Sequence, residues 1–529
     1  MKLTKEILNN AEISQHFALP TYDIEAVAAH TLATPTWLQL GAGNIFRGFL
    51  GSCQQHLLNE GLAETGIIVA EGYDYEIVDV LKQYDQLTIN VTLKETGEVE
   101  QEVLGSLSAY LKMDTEAADF AKLQTILASP SLQMISLTIT EKGYSLVDNQ
   151  GNIQGAIQHD FDNGPAKPIS YLGKLVSLLW TRFNAGAFPI ALVSMDNMSH
   201  NGEKLRQAVL RFVEEWHANQ FVDQAFVDYL SNGENVSFPW SMIDKITPRP
   251  DQKVQRMLEE TGLTDMHPQE TAKHTFVAPY VNGEETQYLI IEDDFPNGRP
   301  HLEQAGIIFT TRETVNAVET MKVTTCLNPL HTALAIYGCL LNIPSIHEAM
   351  NHAHLVALIK RLGYQEGLPV VTDPKILNPK TFIDQVIEVR LPNPFIPDTP
   401  QRIATDTSQK LSVRYGETIK AYVAQQRDLN LLEAIPFVFA GWLRYLTGVN
   451  DSGEAFAISP DPLASKVQPI VADFTFGQQI ISDEFIALLK DQNIFGVDLY
   501  EVGLADKVIA YYQELSQQPG AVAQALTKF

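Results

Sequence analysis

Short apolar runs alternate with stretches of helical hydrophobic periodicity through the first half of the chain. The runs at 37–40, 67–70, 134–139 and 190–195 are each the length of a strand, and 171–183 has helical spacing. Strands that are apolar on both faces and separated by helices are typical of a parallel, doubly wound sheet. The sequence therefore predicts an α/β fold for this half.

The second half has a different pattern. From about Thr314 onward helical periodicity dominates, with predicted helices at 333–341, 346–362, 379–389 and 432–445. A polar segment with two prolines and two glycines, 290–306, comes before this half. We therefore predict two domains, 1–300 and 301–529, the second mostly α-helical.

Charge and cysteine content exclude several functions. The 529 residues include 64 acidic and 37 basic side chains, a formal charge of −27, which disfavours nucleic acid and anionic membranes as partners. The three cysteines stand far apart, which argues against a disulfide scaffold or a thiolate zinc site and favours the cytoplasm. No apolar stretch is long enough to span a bilayer, and the sequence leaves open a monomer or a small homo-oligomer.

A glycine pair follows the first predicted strand. WLQL runs into Gly41, Ala42 and Gly43, which allow a tight turn and let a pyrophosphate approach the backbone at a helix N-terminus. The second strand is followed by Glu71 and Asp74, placed to accept hydrogen bonds from ribose hydroxyls and to repel the extra phosphate of NADP. We predict NAD as the cofactor, with Asp74 the preferred ribose ligand; glycines that only turn the chain and solvated acids are the alternative.

Co-linear motifs add a family resemblance. GAGNIFRGF (41–49) resembles the GxGxFxR signature of the polyol-specific long-chain dehydrogenases, the mannitol dehydrogenase family, and is most similar to its tagaturonate reductase version. SLTITEKGY (136–144), SMDNMSHNG (194–202), FPWSMIDKITP (238–248), IIEDDFPNGRP (290–300) and RIATDTSQK (402–410) continue the resemblance in order. It implies a Rossmann-type N-terminal domain, a mostly α-helical C-terminal domain, and metal-independent oxidation or reduction of a sugar acid or polyol.

The resemblance also implies roles for individual residues. Lys322 corresponds to the general acid/base, Asn328 and Asn197 to the donors that polarise the carbonyl, His331 to a positioning residue and Glu319 to a proton relay. The implied substrate contacts are Asp244, Arg402 and Lys410. The implied cofactor contacts, besides the glycines and the two acids, are Asn44, Phe46, Arg47, Thr140 and Glu141.

Two departures from the family pattern affect these roles. Lys322 and Asn328 are six residues apart where the family has five, and on an unbroken helix their side chains would point about 240° apart. Pro329 predicts a break after Lys322, with Asn328 at the N-cap of a new helix, a position that asparagine also occupies for structural reasons alone. Phe46 stands where polyol enzymes often carry histidine, which argues against a plain mannitol dehydrogenase.

Several functions stay open on the sequence. Arg402 and Lys410 in an acidic chain favour a negatively charged substrate, and they bind either its carboxylate or its hydroxyls. We expect fructuronate/mannonate first, then tagaturonate/altronate, then mannitol/fructose. The alternative class is a catalytically inactive nucleotide-binding sensor. His347 and His352 are five residues apart, not the four of HExxH, so no metal is predicted, and Cys326 is read as a packed residue.

Overall fold

The computed structural model describes residues 1–148, 150–478 and 481–529, in two compact units, Met1–Asn316 and Ala317–Phe529. The sequence placed the boundary near Pro300. Residues beyond that proline stay with the first unit because Ile308–Thr310 pairs in parallel with Tyr288–Glu292. None of the helices in the described ranges combines the length and the apolar character needed to cross a bilayer.

The strands all lie in the first unit. Their bounds are β1 Trp37–Leu40, β2 Ile67–Glu71, β3 Thr88–Leu93, β4 Val99–Leu104, β5 Leu107–Lys112, β6 Met134–Leu137, β7 Ile190–Ser194, β8 Val236–Ser237, β9 Ser241–Asp244, β10 Gln269–Glu270, β11 Phe276–Val277, β12 Tyr280–Glu284, β13 Tyr288–Glu292 and β14 Ile308–Thr310.

Helices surround these strands. They are α1 Ala11–Ser14, α2 Ile24–Ala33, α3 Gly51–Asn59, α4 Glu76–Lys82, α5 Ala118–Ala128, α6 Gly155–Asn163, α7 Tyr171–Gly186, α8 Asn201–Ala218, α9 Gln224–Ser231 and α10 Gln252–Glu260, followed by α11 Arg312–Met321. Short 3₁₀ turns occupy Lys5–Asn9, Glu141–Tyr144, Gly164–Ala166 and Leu302–Ala305 in this unit, and Leu368–Val370, Leu429–Leu431 and Gln468–Val471 in the second.

A six-stranded parallel sheet organises the first unit. Its order is β5-β2-β1-β6-β7-β8, the strand order of a dinucleotide-binding Rossmann fold. Every residue of β1, β2, β6 and β7 is buried, as expected for strands covered by helices on both faces. The order reverses direction between β1 and β6, so the carboxyl ends of these two strands mark the crevice where such folds bind ligands.

The second unit is helical. Its helices are α12 Asn328–Leu340, α13 Ile346–Ala349, α14 Ala353–Lys360, α15 Pro379–Gln385, α16 Pro400–Ile403, α17 Thr407–Leu411, α18 Glu417–Ala424, α19 Ala434–Tyr445, α20 Ala464–Val467, α21 Asp483–Leu489, α22 Gln492–Phe495, α23 Ala505–Leu515 and α24 Ala521–Leu526. All residues of α19 are buried, so this helix lies in the core of the unit.

Wider π-helical turns interrupt or extend several helices. They span Phe46–Leu50, Lys322–Cys326, Arg361–Gly367, Val386–Arg390 and Ser412–Gly416. A π turn pairs a carbonyl with the N–H five residues on, and it often marks a functional position. The predicted helix at 346–362 is wrong as one element: α13 and α14 are separate because the His352 side chain caps the second of them.

Candidate functional site

The glycine loop leaves β1 at its carboxyl end. Gly41 has φ +97°, and a side-chain carbon there would lie 2.4 Å from the carbonyl oxygen of Thr138, so only glycine fits this turn. Gly43 faces open space, with nothing within 4 Å of such a carbon. A close backbone turn beside an open surface, before a helical segment, fits a pyrophosphate.

Both acids predicted for the ribose are buried. The Glu71 carboxylate accepts hydrogen bonds from the backbone N–H of Ala42 (3.1 Å), Tyr73 (2.9 Å) and Asp74 (3.3 Å), and burial raises its pKa. Asp74 is 3% exposed, and its carboxylate accepts a hydrogen bond of 2.6 Å from the hydroxyl of Thr271. Glu71 therefore ties the end of β2 to the glycine loop.

Asn44, Phe46 and Arg47 hold the glycine loop through contacts with other parts of the first unit. Arg47 is 1% exposed and donates to the carbonyl of Ala278 and to the Asn44 side chain, both at 3.0 Å. The Asn44 amide donates to the carbonyl of Pro248 at 3.2 Å, and Phe46 is fully buried. These contacts fix the shape of the loop.

A cleft of about 300 Å³ lies beside the glycine loop and contains two candidate phosphate ligands, an arginine and a histidine, that sequence reasoning missed. Arg249 and His274 line it together with Ala42 and Gly43. The Arg249 guanidinium lies 4.9 Å from the ring centroid of Phe276. The sequence signal for Arg249 was its place directly after the ITP of the FPWSMIDKITP motif, but its approach to a loop some two hundred residues away left no mark in the sequence.

The ends of β6 and β7 place three more predicted residues. Asp196 follows β7 and accepts hydrogen bonds from the N–H of Thr140 at 3.0 Å and from the hydroxyl of Tyr144 at 2.6 Å. Thr140 has φ +64°, and Glu141 forms an exposed ion pair with Lys204. Asn197 comes next after Asp196 and is exposed. Since β6 and β7 are parallel neighbours, these residues share one edge of the sheet.

Asp244 lies at the end of a different strand. It is the last residue of β9 and is 6% exposed. β9 pairs with β13 in a three-stranded sheet, where Asp244 is opposite Tyr288. The predicted substrate contact is therefore placed on a rigid strand outside the six-stranded sheet.

In the second unit the lysine motif contains a π turn. Lys322 is 3% exposed and is the first residue of this turn. Its backbone carbonyl accepts a hydrogen bond of 3.1 Å from the N–H of Leu327. Asn328 is the first residue of α12, and Leu327 is its N-cap. The predicted N-cap position of Asn328 is off by one residue. The predicted break lies at Leu327, whose φ of −130° and ψ of −63° are not helical, and a π turn precedes it. Glu319 lies three residues before Lys322, in α11.

His331 lies in the first turn of α12 and is surrounded by positive charge. Its Nε2 has no hydrogen-bond partner among the described residues and lies 3.4 Å from a carboxylate oxygen of Asp398. Burial lowers the pKa of His331 to about 3, and nearby cations add to the shift. These cations are, in order of effect, Arg414, Arg402, Arg390 and Lys410.

The cations around His331 differ in their partners. Arg402 forms an ion pair with Asp398, and its side chain is 63% exposed. The Lys410 ammonium donates to the carbonyls of Ile403 and Thr405. Arg414 donates to the hydroxyl of Thr332. Sequence reasoning missed Arg414, although its position one helical turn after Lys410 was a usable signal.

Two further sequence candidates have structural partners. His347 Nδ1 contacts the carbonyl of Pro392, and His352 accepts the N–H of Leu355 as a helix cap. No group of three potential metal ligands occurs in residues 1–148, 150–478 and 481–529. Burial raises the pKa of the Cys326 thiol to about 12, so it is a poor nucleophile.

Comparison with known proteins gives the family. The model of the mannitol dehydrogenase Rossmann domain matches residues 35–304, and that of the mannitol dehydrogenase C-terminal domain matches residues 314–516. A "D-mannonate oxidoreductase" of Thermotoga maritima is 46% identical over 99% of this chain and 98% of its own. A "D-mannonate oxidoreductase" of Escherichia coli is 28% identical, covering 92% and 96%.

A solved structure agrees with this assignment. The mannitol 2-dehydrogenase of Pseudomonas fluorescens, in ternary complex with NAD and D-mannitol, superposes with a TM-score of 0.72 at 27% identity, over 100% of this chain and 99% of its own.

A Rossmann sheet with a glycine loop, joined in sequence to a helical unit with a buried lysine, defines an oxidoreductase of the nucleotide-dependent kind. The chain belongs to the mannitol dehydrogenase family. The predicted family, fold class and enzyme class are confirmed.

Proposed function

We propose that this protein interconverts D-fructuronate and D-mannonate with NADH and NAD, without a metal. The observation that carries the proposal is the positive cluster at His331: Arg390, Arg402, Lys410 and Arg414 act on this histidine in a protein of formal charge −27. Such a concentration of cations suits an anionic sugar acid better than a neutral sugar. The name of the Thermotoga relative supports the same substrate class.

The first unit supplies the cofactor site in this proposal. The turn at Gly41 admits no side chain, and the adjoining cleft of about 300 Å³ fits a dinucleotide pyrophosphate held by loop N–H groups. When bound, NADH supplies the hydride. Arg249 and His274 are proposed to bind its phosphates, and Thr140 and Glu141 to contact the rest of the cofactor.

NAD is proposed over NADP because of charge at the end of β2. A 2′-phosphate on the adenosine ribose would approach Glu71 and Asp74. The carboxylate of Asp74 accepts a hydrogen bond from the hydroxyl of Thr271, a neutral group. We therefore expect Asp74→Ala to weaken NADH binding and narrow the preference for NADH over NADPH.

The chain's own residues supply the remaining chemistry. Reduction of a ketone creates an alkoxide, which needs hydrogen-bond donors and then a proton. We propose that Lys322 donates the proton, that the amides of Asn328 and Asn197 polarise the carbonyl, and that Glu319 passes protons to the lysine. Asp244, His331, Arg402 and Lys410 are proposed to hold substrate hydroxyls.

An assay of NADH oxidation tests the proposal. We expect the highest kcat/KM with D-fructuronate, then with D-tagaturonate, and the lowest with D-fructose, and we expect turnover to persist after exhaustive chelation. Preference for tagaturonate would support the second candidate, which the GAGNIFRGF loop favours. Preference for fructose would reject a sugar acid as substrate, and no oxidation with any of the three would favour the sensor.

We propose that the enzyme works in the cytoplasm. All three cysteines are free and buried in the described structure, which supports a reducing compartment such as the cytoplasm. A monomer or small homo-oligomer fits the sequence equally well. Sedimentation of the purified protein would decide between them.

A further inference from the structure

Arg414 is a half-buried cation whose side chain has one hydrogen-bond partner among the described residues. It lies in the π turn Ser412–Gly416, and burial lowers its pKa to about 10. The Thr332 hydroxyl accepts a hydrogen bond from one of its terminal nitrogens. Among residues 1–148, 150–478 and 481–529, no carboxylate forms an ion pair with Arg414 and no other acceptor is bonded to it.

Two fully buried arginines, Arg182 and Arg444, are held by several acceptors within the protein. Arg182 donates five hydrogen bonds, all to backbone carbonyls. Arg444 likewise donates to the carbonyls of Leu515, Val449 and Asn450. A guanidinium has five N–H donors, and a buried charge without partners is costly. No acidic side chain in the described part of the chain forms an ion pair with Arg414, which leaves its remaining donors available to an external anion.

The position of Arg414 relates it to the predicted reacting groups. Thr332, its partner, follows His331, whose Nε2 has no hydrogen-bond partner in the described structure. Asn328, the proposed carbonyl donor, begins the same helix four residues earlier. Four residues of α-helix rise about 6 Å. This is comparable with the distance from the ketone to the acid group along a six-carbon chain.

Arg402, by contrast, already has a counter-ion. It pairs with Asp398, a carboxylate that is 4% exposed, while its own side chain is 63% exposed. A substrate carboxylate at Arg402 would therefore compete with Asp398 for the same guanidinium. Arg402 is better suited to substrate hydroxyls, with Asp398 as a second acceptor nearby.

We propose that Arg414 binds the carboxylate of the sugar-acid substrate and is the residue that distinguishes acids from neutral sugars. The inference rests on the proposed function and goes beyond it by naming the side chain that binds the substrate carboxylate. The planar guanidinium offers two parallel N–H donors to a carboxylate, which the ammonium of a lysine does not.

Three variants test the proposal: Arg414→Met, Arg414→Lys and, as a matched control, Arg402→Met. Kinetics are measured with D-fructuronate and D-fructose. We expect Arg414→Met to lose about 100-fold or more in kcat/KM on fructuronate, mainly through KM, and less than about 10-fold on fructose. Arg414→Lys should fall between wild type and Arg414→Met on fructuronate. Arg402→Met should lose similar factors on both substrates.

Equal losses of Arg414→Met on the acid and the neutral substrate, or a selective acid loss in Arg402→Met alone, would overturn the proposal. Thermal unfolding with D-mannonate or D-mannitol gives a readout independent of turnover. Mannonate should raise the Tm of wild type and not that of Arg414→Met. If Arg414→Met does not fold, Arg414→Lys decides, since it keeps the charge and loses only the two-point contact.

Failure of the proposed function has a different signature. If the wild-type enzyme prefers tagaturonate, fructuronate is the wrong substrate, and the same variants are compared on tagaturonate and fructose. If the wild-type enzyme prefers fructose to both acids and mannonate does not raise its Tm, both the function and the role of Arg414 are rejected. A wild-type enzyme that reduces fructuronate while Arg414→Met does so equally well rejects only the role of Arg414.

Discussion

At the scale of single residues, the neutral state of His331 is imposed by its surroundings. Burial and the charges of Arg414, Arg402, Arg390 and Lys410 oppose its protonation, and Asp398 is the carboxylate nearest to it. With its pKa lowered to about 3, His331 is uncharged near neutral pH. In the proposed function a neutral His331 would be a hydrogen-bond partner for a substrate hydroxyl, and Lys322 the acid.

This neutrality predicts a pH dependence of stability. Below the ordinary pKa of 6.5 the unfolded chain protonates His331, while the folded protein does not until about pH 3. Stability should therefore fall as the pH falls between these values, by ~1.4 kcal/mol per pH unit from this group. Tm measured from pH 7 to pH 4 should decline less steeply in His331→Asn than in wild type. Parallel curves for the two proteins would show that His331 protonates in the folded state.

Lys322 gives a second prediction at this scale. Lys322→Ala should reduce kcat by about 100- to 10,000-fold, because a positioned proton donor contributes that much, and leave NADH affinity nearly unchanged. NADH binding is measured by fluorescence titration, and turnover by NADH oxidation. Lys420→Ala is the matched control, since Lys420 is 49% exposed and pairs only with Glu417 among the described residues. Full turnover in Lys322→Ala would remove the lysine from the mechanism.

At the scale of elements, the π turn Lys322–Cys326 accounts for the unusual spacing of the motif. Its wider loop holds one more residue than an α-helical turn, so six residues cover the path that five cover in an α-helix. The family spacing and the spacing here can then place Lys322 and Asn328 alike. The extra residue lies inside a turn and leaves the start of α12 at Asn328.

Deleting Val323 tests this account. The deletion restores the five-residue spacing of the family, and the turn should close as an ordinary α-helix. We expect kcat within about 10-fold of wild type, because both groups return to equivalent positions. Inserting one alanine after Val323 is the matched control and should abolish turnover. An inactive but folded deletion variant would show that the π turn itself is required.

Sequence predicts an element when the contacts that determine it are local, and it fails when those contacts form only on tertiary folding. β1, β2, β6 and β7 were predicted at their places because their signal is local. Pro329 indicated the helix break before α12, which lies at Leu327, but it gave no sign of the π turn that precedes the break. The partners of the Glu71 and Asp74 carboxylates, including the Thr271 hydroxyl, were hidden because they depend on tertiary folding.

At the scale of the whole molecule, the candidate site residues occur in both compact units. Glycine-loop residues occur in the unit Met1–Asn316, and the lysine, histidine and arginine cluster occurs in Ala317–Phe529. The missed residues are Arg249 and His274, which have no distinctive spacing in the sequence, and Arg414, whose spacing from Lys410 was a usable signal. Only the folded structure shows their positions: Arg249 lines the cleft at the glycine loop, and Arg414 lies near His331.

The positive cluster at His331, inside a protein of formal charge −27, also affects how an anion reaches it. The net negative charge of the protein repels an approaching sugar acid at long range, and the cations at His331 attract it at short range. Salt screens the long-range repulsion, with a Debye length of about 8 Å at 0.15 M, whereas partly buried pairs are screened much less. For the anionic substrate, kcat/KM should first rise with ionic strength and then fall as salt anions occupy the arginines. For fructose it should stay flat, so the shape of a salt titration reports how charge governs entry into the enzyme.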